Sequence, residues 1–289
     1  MTIKEIYTKY IDALKHIYSI GEATAITKIV FEHFAKISAT EIVIAVKQDI
    51  EPTIIETLNV ALLKLQNNIP VQYITGKAWF YNICFTVTNA VLIPRPETEE
   101  LVLEAIKFLK NNHNKKVLDI GTGSGCIPIC IKLNVPTASV TSLDVSEAAL
   151  VIAKQNIDEN KVEIDLLLFN FLDENKYTVL EKFDLIISNP PYIPENEKEF
   201  LDKNVTQFEP HLALFVPQKD PLLFYRKILI FAENHLEDGG KIFIEVHENF
   251  ALETAAIFIT ANYEVTIKKD MQGKNRMLLI YRSLKQLQM

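Results

Sequence analysis

Apolar residues recur at helical spacing through the first 75 residues of the chain. Residues three and four apart lie on one side of an α-helix, so each such set predicts an amphipathic helix with one buried face. Pro52 stands where a proline can begin the last of these helices. The pattern predicts a small all-α domain over residues 1–75 with three apolar faces: Ile3, Ile6, Tyr7 and Tyr10; Ile26, Ile29, Val30, Phe34 and Ile37; and Ile55, Leu58, Leu62 and Leu65.

The pattern changes between residues 76 and 95, where short aromatic-rich apolar runs alternate with turn residues. Asn82 and Asn89 supply the turn chemistry, and Pro94 and Pro96 end the section. Such runs are typical of β-strands joined by tight turns. We therefore predict a β-hairpin linker over 76–95, with apolar runs at 79–81, 84–87 and 91–93.

Beyond Glu97, seven apolar runs alternate with segments of helical pattern. Strands that alternate with crossover helices predict a mostly parallel sheet with helices on both faces. The last two runs lie close together and are expected to form an antiparallel edge. Ligands of such sheets bind at the carboxyl ends of the strands. The expected fold over residues 96–289 is α/β and Rossmann-like, with strands at 116–120, 139–143, 162–169, 183–188, 241–246, 263–268 and 276–281.

Composition and charge narrow the class of protein. The 289 residues are 48% hydrophobic and 23% charged, which excludes a disordered chain. A formal net charge of −7 supplies no basic field for a phosphate backbone, so direct nucleic-acid binding is not expected. No apolar run approaches the roughly 18 residues that span a bilayer, so no membrane contact is expected.

The three cysteines are too few for a disulfide framework and fit a reducing compartment, so we expect a cytoplasmic protein. Cys126 and Cys130 are spaced one helical turn apart. Two thiols do not complete a metal site, so we expect buried thiols and no metal.

The first strand of the sheet runs into a glycine-rich turn. Alternate glycines allow the backbone to turn tightly and to approach a ligand closely. A dinucleotide fingerprint is excluded because Cys126 replaces its last glycine, and the P-loop and serine-hydrolase spacings are absent. Asp119 stands two positions before the first glycine. The remaining pattern resembles the cofactor loop of the S-adenosylmethionine-dependent methyltransferases and contains Gly121, Thr122, Gly123, Ser124 and Gly125.

Polar and aromatic residues follow the next two strands. Asp144 ends the second strand, where a carboxylate can accept two hydrogen bonds from a ribose diol. Capping of the following helix is the alternative role, although Ser146 is the better-placed cap. Asn170 and Phe171 follow the third strand, where an adenine ring can stack on the aromatic face. An ordinary core and turn role is the alternative for this pair.

The fourth strand ends in Asn189-Pro190-Pro191-Tyr192. Two consecutive prolines remove two backbone donors, so the carbonyl oxygens there and the Asn189 side-chain oxygen form an array of acceptors. A planar –NH₂ group fits this array, because two acceptors bind both N–H bonds and orient the nitrogen, with Tyr192 as an aromatic wall. A plain turn is the alternative. The array indicates methylation of adenine, cytosine or a carboxamide.

Three motifs together resemble one family. They are the Asn-Pro-Pro-Tyr array, the Leu-Ile-Pro-Arg-Pro-Glu-Thr-Glu segment at 92–99 and the segment 117–125 with its glycine turn. They are similar to those of the HemK/PrmC family, the peptide chain release factor glutamine methyltransferases. The resemblance covers essentially the whole chain, since 70–76 match the junction after the family's helical N-terminal domain and 273–276 its closing turn.

The resemblance implies the fold of an S-adenosylmethionine-dependent methyltransferase and a protein-(glutamine-N5) methyltransferase activity. The family transfers a methyl group from S-adenosylmethionine, which becomes S-adenosylhomocysteine. The acceptor is the glutamine of a Gly-Gly-Gln loop in class-one release factors, and its methylation modulates translation termination. The implied cofactor is therefore S-adenosylmethionine, and the implied partner is a class-one release factor.

The resemblance also assigns roles by position. Asn189, Pro190 and Tyr192 would be catalytic, and together with Pro191 they would hold the glutamine. Arg95 and Glu97 have two open interpretations, a solvated salt-bridge cluster or a part in enclosing the cofactor. The chain departs from many relatives at 216–221, which leaves the path of the 215–221 loop open. The cofactor would be bound by Gly121, Thr122, Gly123, Ser124, Gly125, Asp144, Phe171 and Asn189.

Two other classes of protein remain as alternatives. Nucleic-acid amino methyltransferases share the acceptor array but would carry a basic recognition region, whereas residues 1–75 contain 7 lysines and 8 acidic residues. A cofactor-binding regulatory module without catalysis would not need the intact array. Because a glutamine side chain is too small to select one protein, we expect residues 1–75 to dock the release factor. The alternative is that they only brace the catalytic domain.

Overall fold

The structure, a computed structural model, divides into two units. The first contains Met1–Lys77 and Asp202–Phe208, and the second contains Ala78–Leu201 and the chain from Glu209 onward. The end of the predicted 96–289 domain, residues 283–289, lies outside the described residues. No helix among the described residues is long and apolar enough to cross a membrane. The residues described are 1–44, 47–111 and 115–282.

Most of the first unit is helical. The second unit contains a large sheet and its own helices. A π-helical turn covers Phe31–Ala35, and 3₁₀ segments cover Glu174–Val179, Glu195–Phe200 and Glu248–Phe250. The α-helices are α1 (Ile3–Leu14), α2 (Ile20–Val30), α3 (Ala39–Ile44), α4 (Pro52–Gln66), α5 (Val71–Thr75), α6 (Pro96–Lys110), α7 (Cys126–Asn134), α8 (Glu147–Asn160), α9 (Lys203–Phe208), α10 (His211–Leu214), α11 (Leu223–His235) and α12 (Ala251–Thr260).

The helical unit is held together by capping and aromatic packing. Thr2 caps α1 in a capping box, in which its hydroxyl accepts from the Glu5 amide and the Glu5 carboxylate accepts from the Thr2 amide. The Tyr10 hydroxyl donates to the Leu58 carbonyl of α4, and the Tyr10 ring packs edge-on against Phe31 at 5.5 Å. These contacts join α1, α4 and the π-helical turn around one apolar core.

One predicted helical face is wrong in detail. Ile26 and Val30 are buried, but Ile29 is 44% exposed. The buried stripe of α2 is instead completed by Ala23 and Thr27. Thr27 tolerates burial because its hydroxyl donates to the Ala23 carbonyl at 2.7 Å, so the polar group keeps a partner.

The strands form one large sheet and two short pairs. The pairs are β1 with β2 and β7 with β8. The strands are β1 (Lys77–Phe80), β2 (Ile83–Thr86), β3 (Lys116–Ile120), β4 (Ser139–Asp144), β5 (Asp165–Leu168), β6 (Phe183–Ser188), β7 (Ile193–Pro194), β8 (Phe215–Val216), β9 (Leu236–Glu245), β10 (Tyr263–Lys269) and β11 (Asn275–Arg282).

The large sheet confirms the predicted α/β fold. Its seven strands have the order β10-β11-β9-β6-β3-β4-β5. The strands from β9 to β5 are parallel, and β11 is antiparallel to both β9 and β10. The strand order reverses at β3, with β4 on one side and β6 on the other. Ligands of open α/β sheets bind outside the carboxyl ends of the strands at such a reversal.

Both faces of the sheet are covered, as a parallel sheet requires. Side chains of β6 alternate between two apolar layers. Ile186 belongs to the layer that contains Phe231 of α11, and Leu185 belongs to the layer that contains Leu101 of α6. The carboxyl edge of the sheet therefore stays available for a site while both faces form the core.

The predicted hairpin linker is only partly a hairpin. Its two strands turn at Tyr81 and Asn82, whose φ angles of 51° and 61° are those of a tight hairpin turn. The third predicted run, 91–93, is not a strand. The Ile93 amide instead donates to the Glu209 carboxylate at 3.2 Å, so this backbone has a side-chain partner in place of a neighbouring strand.

Two predicted strands have different limits. The run at 162–169 shortens to β5, because only Asp165–Leu168 pairs with β4. The run at 241–246 begins earlier, at Leu236, and residues 237–240 bulge opposite Asp184 of β6. The bulge needs its glycines: Gly239 has a φ of 77°, and a Cβ at Gly240 would lie 2.9 Å from a backbone oxygen.

Candidate active site

The glycine-rich turn brings bare backbone to the carboxyl end of β3. Gly121, Gly123 and Gly125 have φ angles of 79°, 54° and 79°, in the left-handed region that favours glycine. The amides of Gly121 and of the residue after it both donate to the Leu143 carbonyl at 2.9 Å, which fastens the turn to β4. A Cβ at Gly125 would lie 3.3 Å from Ile129 Cδ1, so α7 begins in close packing.

A cavity of about 290 Å³ opens at the carboxyl ends of the central strands. Its walls are largely apolar, with a few polar groups among them, as is usual for small-molecule sites. Four predicted site residues, Thr122, Ser124, Gly125 and Tyr192, do not line it. The predicted residues that the cavity brings together are Gly121, Gly123, Asp144, Phe171, Asn189, Pro190 and Pro191.

Asp144 connects the second strand to the glycine turn. One carboxylate oxygen accepts from the Gly123 amide and the other from the Ser146 amide, each at 2.9 Å. Burial raises the pKa of Asp144, and these two amides oppose that increase. The cap of α8 is Ser146, whose hydroxyl accepts from the Ala149 amide at 3.2 Å. The Asp144 carboxylate is thus held at the cavity wall by two backbone donors.

Asp119 is buried beneath the same turn. Burial raises the pKa of Asp119 to about 7. The Thr122 hydroxyl lowers it, the negative charge of Asp144 raises it further, and the Ser142 hydroxyl lowers it. Among the described residues, no hydrogen bond of normal geometry reaches either Asp119 oxygen. The turn therefore covers a carboxyl group with few favourable partners.

Asn156 supports the glycine turn from α8, and sequence reasoning did not find it. This fully buried side chain donates to the Ser124 and Thr86 carbonyls, both at 2.9 Å, and accepts from the Thr86 amide at 2.7 Å. All its bonds join a helix to the turn and to β2. A buried polar group with every partner supplied fixes local geometry, so Asn156 sets the position of the turn.

Phe171 lines the cavity. Its ring packs against Tyr177 and Phe231, with ring centroids 5.2 Å and 5.5 Å away. The Tyr177 hydroxyl donates to the Phe171 carbonyl at 2.8 Å. Beside it, the Asn170 side-chain oxygen accepts from the Leu172 amide at 3.0 Å. Phe171 therefore offers a fixed apolar surface, whereas the Asn170 oxygen is already used in a local turn.

The Asn-Pro-Pro-Tyr segment begins where β6 ends. Asn189, Pro190 and Pro191 line the cavity. The Asn189 Nδ2 group donates to Thr98 Oγ1 at 3.1 Å, which leaves its Oδ1 as the free acceptor of the amide. Tyr192 is not among the residues that line the cavity. Its hydroxyl donates to the Glu245 carboxylate at 3.0 Å, and burial raises the pKa of Tyr192 well above its ordinary value.

An ion pair connects two segments that line the cavity. Arg95 Nη2 lies 2.6 Å from Glu209 Oε1, and Glu209 is buried. The same carboxylate accepts from the Ile93 amide, so it joins the chain before α6 to the chain before α10. Both neighbouring segments, 90–92 and 210–213, contribute cavity residues. Arg95 is therefore in a salt bridge with a buried partner, next to two segments that line the cavity, and Glu97 accepts from Gln272 Nε2 at 3.2 Å.

The loop that follows β8 does not line the cavity. The loop at 216–221 leaves β8, which pairs in parallel with β7, and Asp220 pairs with Arg226. Cys126 and Cys130 are buried, and burial raises the pKa of Cys126 to about 12. Within the described ranges, no group of three or more histidine, cysteine, aspartate or glutamate side chains could hold a metal ion.

Comparison with known proteins identifies relatives over nearly the whole length. The family model described as "Methyltransferase small domain" matches residues 100–211, and the model described as "PrmC N-terminal domain" matches residues 5–76. The "Release factor glutamine methyltransferase" of Flavobacterium psychrophilum is 38% identical over 284 residues, which is 97% of this chain and 99% of that protein. The protein of the same name from Bacteroides thetaiotaomicron is 37% identical over 278 residues, 94% of this chain and 97% of that protein.

One solved structure adds an independent view of the fold. A methyltransferase from Pyrococcus furiosus matches with a TM-score of 0.51 and 22% identity, and the match covers 70% of this chain and 89% of that chain. The similarity shows the methyltransferase fold.

Proposed function

Because this chain belongs to the family of release factor glutamine methyltransferases, we propose that it methylates the Gly-Gly-Gln glutamine of class-one peptide chain release factors. The methyl group comes from S-adenosylmethionine and is transferred to the side-chain amide nitrogen, which modulates translation termination. The proposal rests on one observation: Asn189 and Pro190, which supply the acceptors, line the same cavity as the glycine turn and Asp144.

The cavity residues fit S-adenosylmethionine. Gly121 and Gly123 allow a ligand to approach the backbone, and Asp144 offers carboxylate oxygens to a ribose diol. Phe171 supplies an apolar surface for adenine. When bound, the cofactor supplies a sulfonium methyl group that is already electrophilic. The residues of the chain therefore need only to bind, orient and exclude water, and S-adenosylhomocysteine is the product.

The acceptor array fits a carboxamide nitrogen, which is a poor nucleophile because its lone pair is delocalised. Asn189 Oδ1 and the Pro190 carbonyl oxygen accept the two N–H bonds and aim the nitrogen at the methyl group. The same acceptors stabilise positive charge that develops on nitrogen during transfer. The proton becomes acidic only after the new N–C bond forms, so a strong general base is not required. Tyr192 follows the two prolines, and its hydroxyl donates to Glu245.

The direct test is methyl transfer from labelled S-adenosylmethionine by the purified protein. We expect label in an intact class-one release factor and none in the same factor with its motif glutamine replaced by alanine. Ribosomal RNA, transfer RNA and DNA serve as parallel substrates, since other enzymes use such an array on bases. Label in a nucleic acid and none in the release factor would refute the proposal.

We also propose that the helical unit docks the release factor. Several exposed apolar side chains lie on its helices, including Val60 and Leu63 on one face of α4. The test compares kcat/KM for the intact factor with kcat/KM for a short Gly-Gly-Gln peptide. Two changes are made: removal of residues 1–77, and Val60→Asp with Leu63→Asp in the full chain. Each should lower the ratio of kcat/KM for the intact factor to kcat/KM for the peptide, and should leave kcat/KM for the peptide unchanged. An unchanged ratio in both variants would mean that the unit only braces the enzyme.

The proposed compartment is the cytoplasm. Cys84, Cys126 and Cys130 are free thiols, and a reducing compartment preserves them.

A further inference from the structure

We infer that Thr98 and Glu245 are positioning residues that hold the Asn189 side-chain amide in one orientation, an inference that rests on the proposed function of Asn189. Asn189 Nδ2 donates to Thr98 Oγ1 at 3.1 Å, and Thr98 Oγ1 donates to Glu245 Oε2 at 2.6 Å. Asn189 follows β6, Thr98 lies in the first turn of α6, and Glu245 ends β9. Three separate elements are therefore connected by two successive hydrogen bonds.

The direction of these two hydrogen bonds follows from which groups can donate and which can only accept. An ionised carboxylate only accepts hydrogen bonds, so the single hydroxyl proton of Thr98 is committed to Glu245. Toward Asn189 the Thr98 oxygen can then only accept. The amide must turn its Nδ2 group to Thr98, which leaves Oδ1 as the acceptor that this residue of the cavity lining can offer. A flipped amide would set two acceptors against each other and would offer the substrate a donor.

Burial makes this preference strong. Thr98 is 3% exposed and Glu245 is 1% exposed, so water has little access to replace a lost partner. Burial raises the pKa of Glu245, whereas the hydroxyls of Thr98 and Tyr192 and the charge of Arg276 lower it. The negative charge of Glu97 raises it. These donors and the charge of Arg276 act against the effect of burial, and the geometry has both Glu245 oxygens accepting from hydroxyls.

Glu245 anchors both ends of the acceptor array. Its second oxygen accepts from the Tyr192 hydroxyl at 3.0 Å. Asn189 and Tyr192 flank the two prolines, so one carboxylate restrains the residues on either side of them. Pro190 and Pro191 have no amide proton with which to secure themselves, and this external anchor replaces backbone hydrogen bonds.

The experiment uses two substitutions of Thr98 in the full-length enzyme. Thr98→Val keeps the shape and removes the hydroxyl, and Thr98→Ser keeps the hydroxyl. We expect Thr98→Val to lower kcat on the release factor by at least roughly tenfold, with the Kd of S-adenosylmethionine within about twofold of wild type. Thr98→Ser should stay within about threefold in kcat. Wild-type kcat in Thr98→Val, or equal losses in both variants, would overturn the positioning role.

A second measurement does not depend on methyl transfer. In protein labelled with ¹⁵N-asparagine, the Asn189 side-chain signal is identified by its loss in Asn189→Ala. One Nδ2 proton should exchange slowly with water in the wild type and in Thr98→Ser, and at least roughly tenfold faster in Thr98→Val. Equal exchange in all three proteins would refute the inference. A wild-type enzyme that shows this protection but does not methylate release factors would contradict the proposed function and leave the positioning intact.

Discussion

Replacement of Asp144 by alanine should weaken S-adenosylmethionine binding by about 1–3 kcal/mol, or roughly 5- to 150-fold in Kd. The magnitude follows from the geometry. The carboxylate is largely buried at the cavity wall and accepts from the Gly123 and Ser146 amides at 2.9 Å. Alanine removes the acceptors proposed for the ribose diol, and it also leaves the Gly123 amide of the cofactor turn without its partner.

The assay is cofactor binding by titration calorimetry in the absence of release factor, so that substrate recognition does not enter. Ser146→Ala is the matched control. It removes the cap of α8, which accepts from the Ala149 amide, and should lower the free energy of unfolding by about 1 kcal/mol with Kd within about twofold. Wild-type affinity in Asp144→Ala would refute the reasoning, as would an equal loss of affinity in Ser146→Ala.

Three further outcomes are expected. Asn189→Ala should lower kcat at least roughly 100-fold in a folded protein, and wild-type turnover would contradict its role. Burial raises the pKa of Asp119 from 3.8 to about 7. The free energy of unfolding is therefore highest below pH 3.8, where Asp119 is protonated in both states, and falls as the pH rises through 7. Asp119→Asn should remove this pH dependence and raise the free energy of unfolding by up to about 4 kcal/mol above pH 7, as measured by urea unfolding. Parallel pH profiles of the variant and the wild type would contradict this expectation. Arg95→Met leaves the buried Glu209 charge without its cation and should lower the free energy of unfolding by about 1–3 kcal/mol in the same assay. Adding Glu209→Gln should recover part of this loss, and no recovery would contradict the role of the pair.

Local signals in the sequence carried the architecture of the second unit. The seven apolar runs and the helices between them are short-range patterns, so they predicted a parallel sheet before any tertiary contact was known. The glycine turn and the Asn-Pro-Pro-Tyr segment each follow a strand. Since parallel strands end at one edge, these positions already indicated the carboxyl ends of the strands as the place of the chemistry.

Contacts between distant residues decided the rest. Ile93 bonds to Glu209 instead of a strand, and Thr98 reaches Glu245 across 147 positions. Neither pairing can be predicted from the spacing of apolar residues, because a single buried polar contact does not change the periodicity of either segment. A sequence pattern records which face of an element is apolar, whereas the partner of a buried carboxylate depends on which elements the fold brings together. The chemistry of the acceptor array was therefore legible in the sequence, and the residues that orient it were determined only by the folded chain.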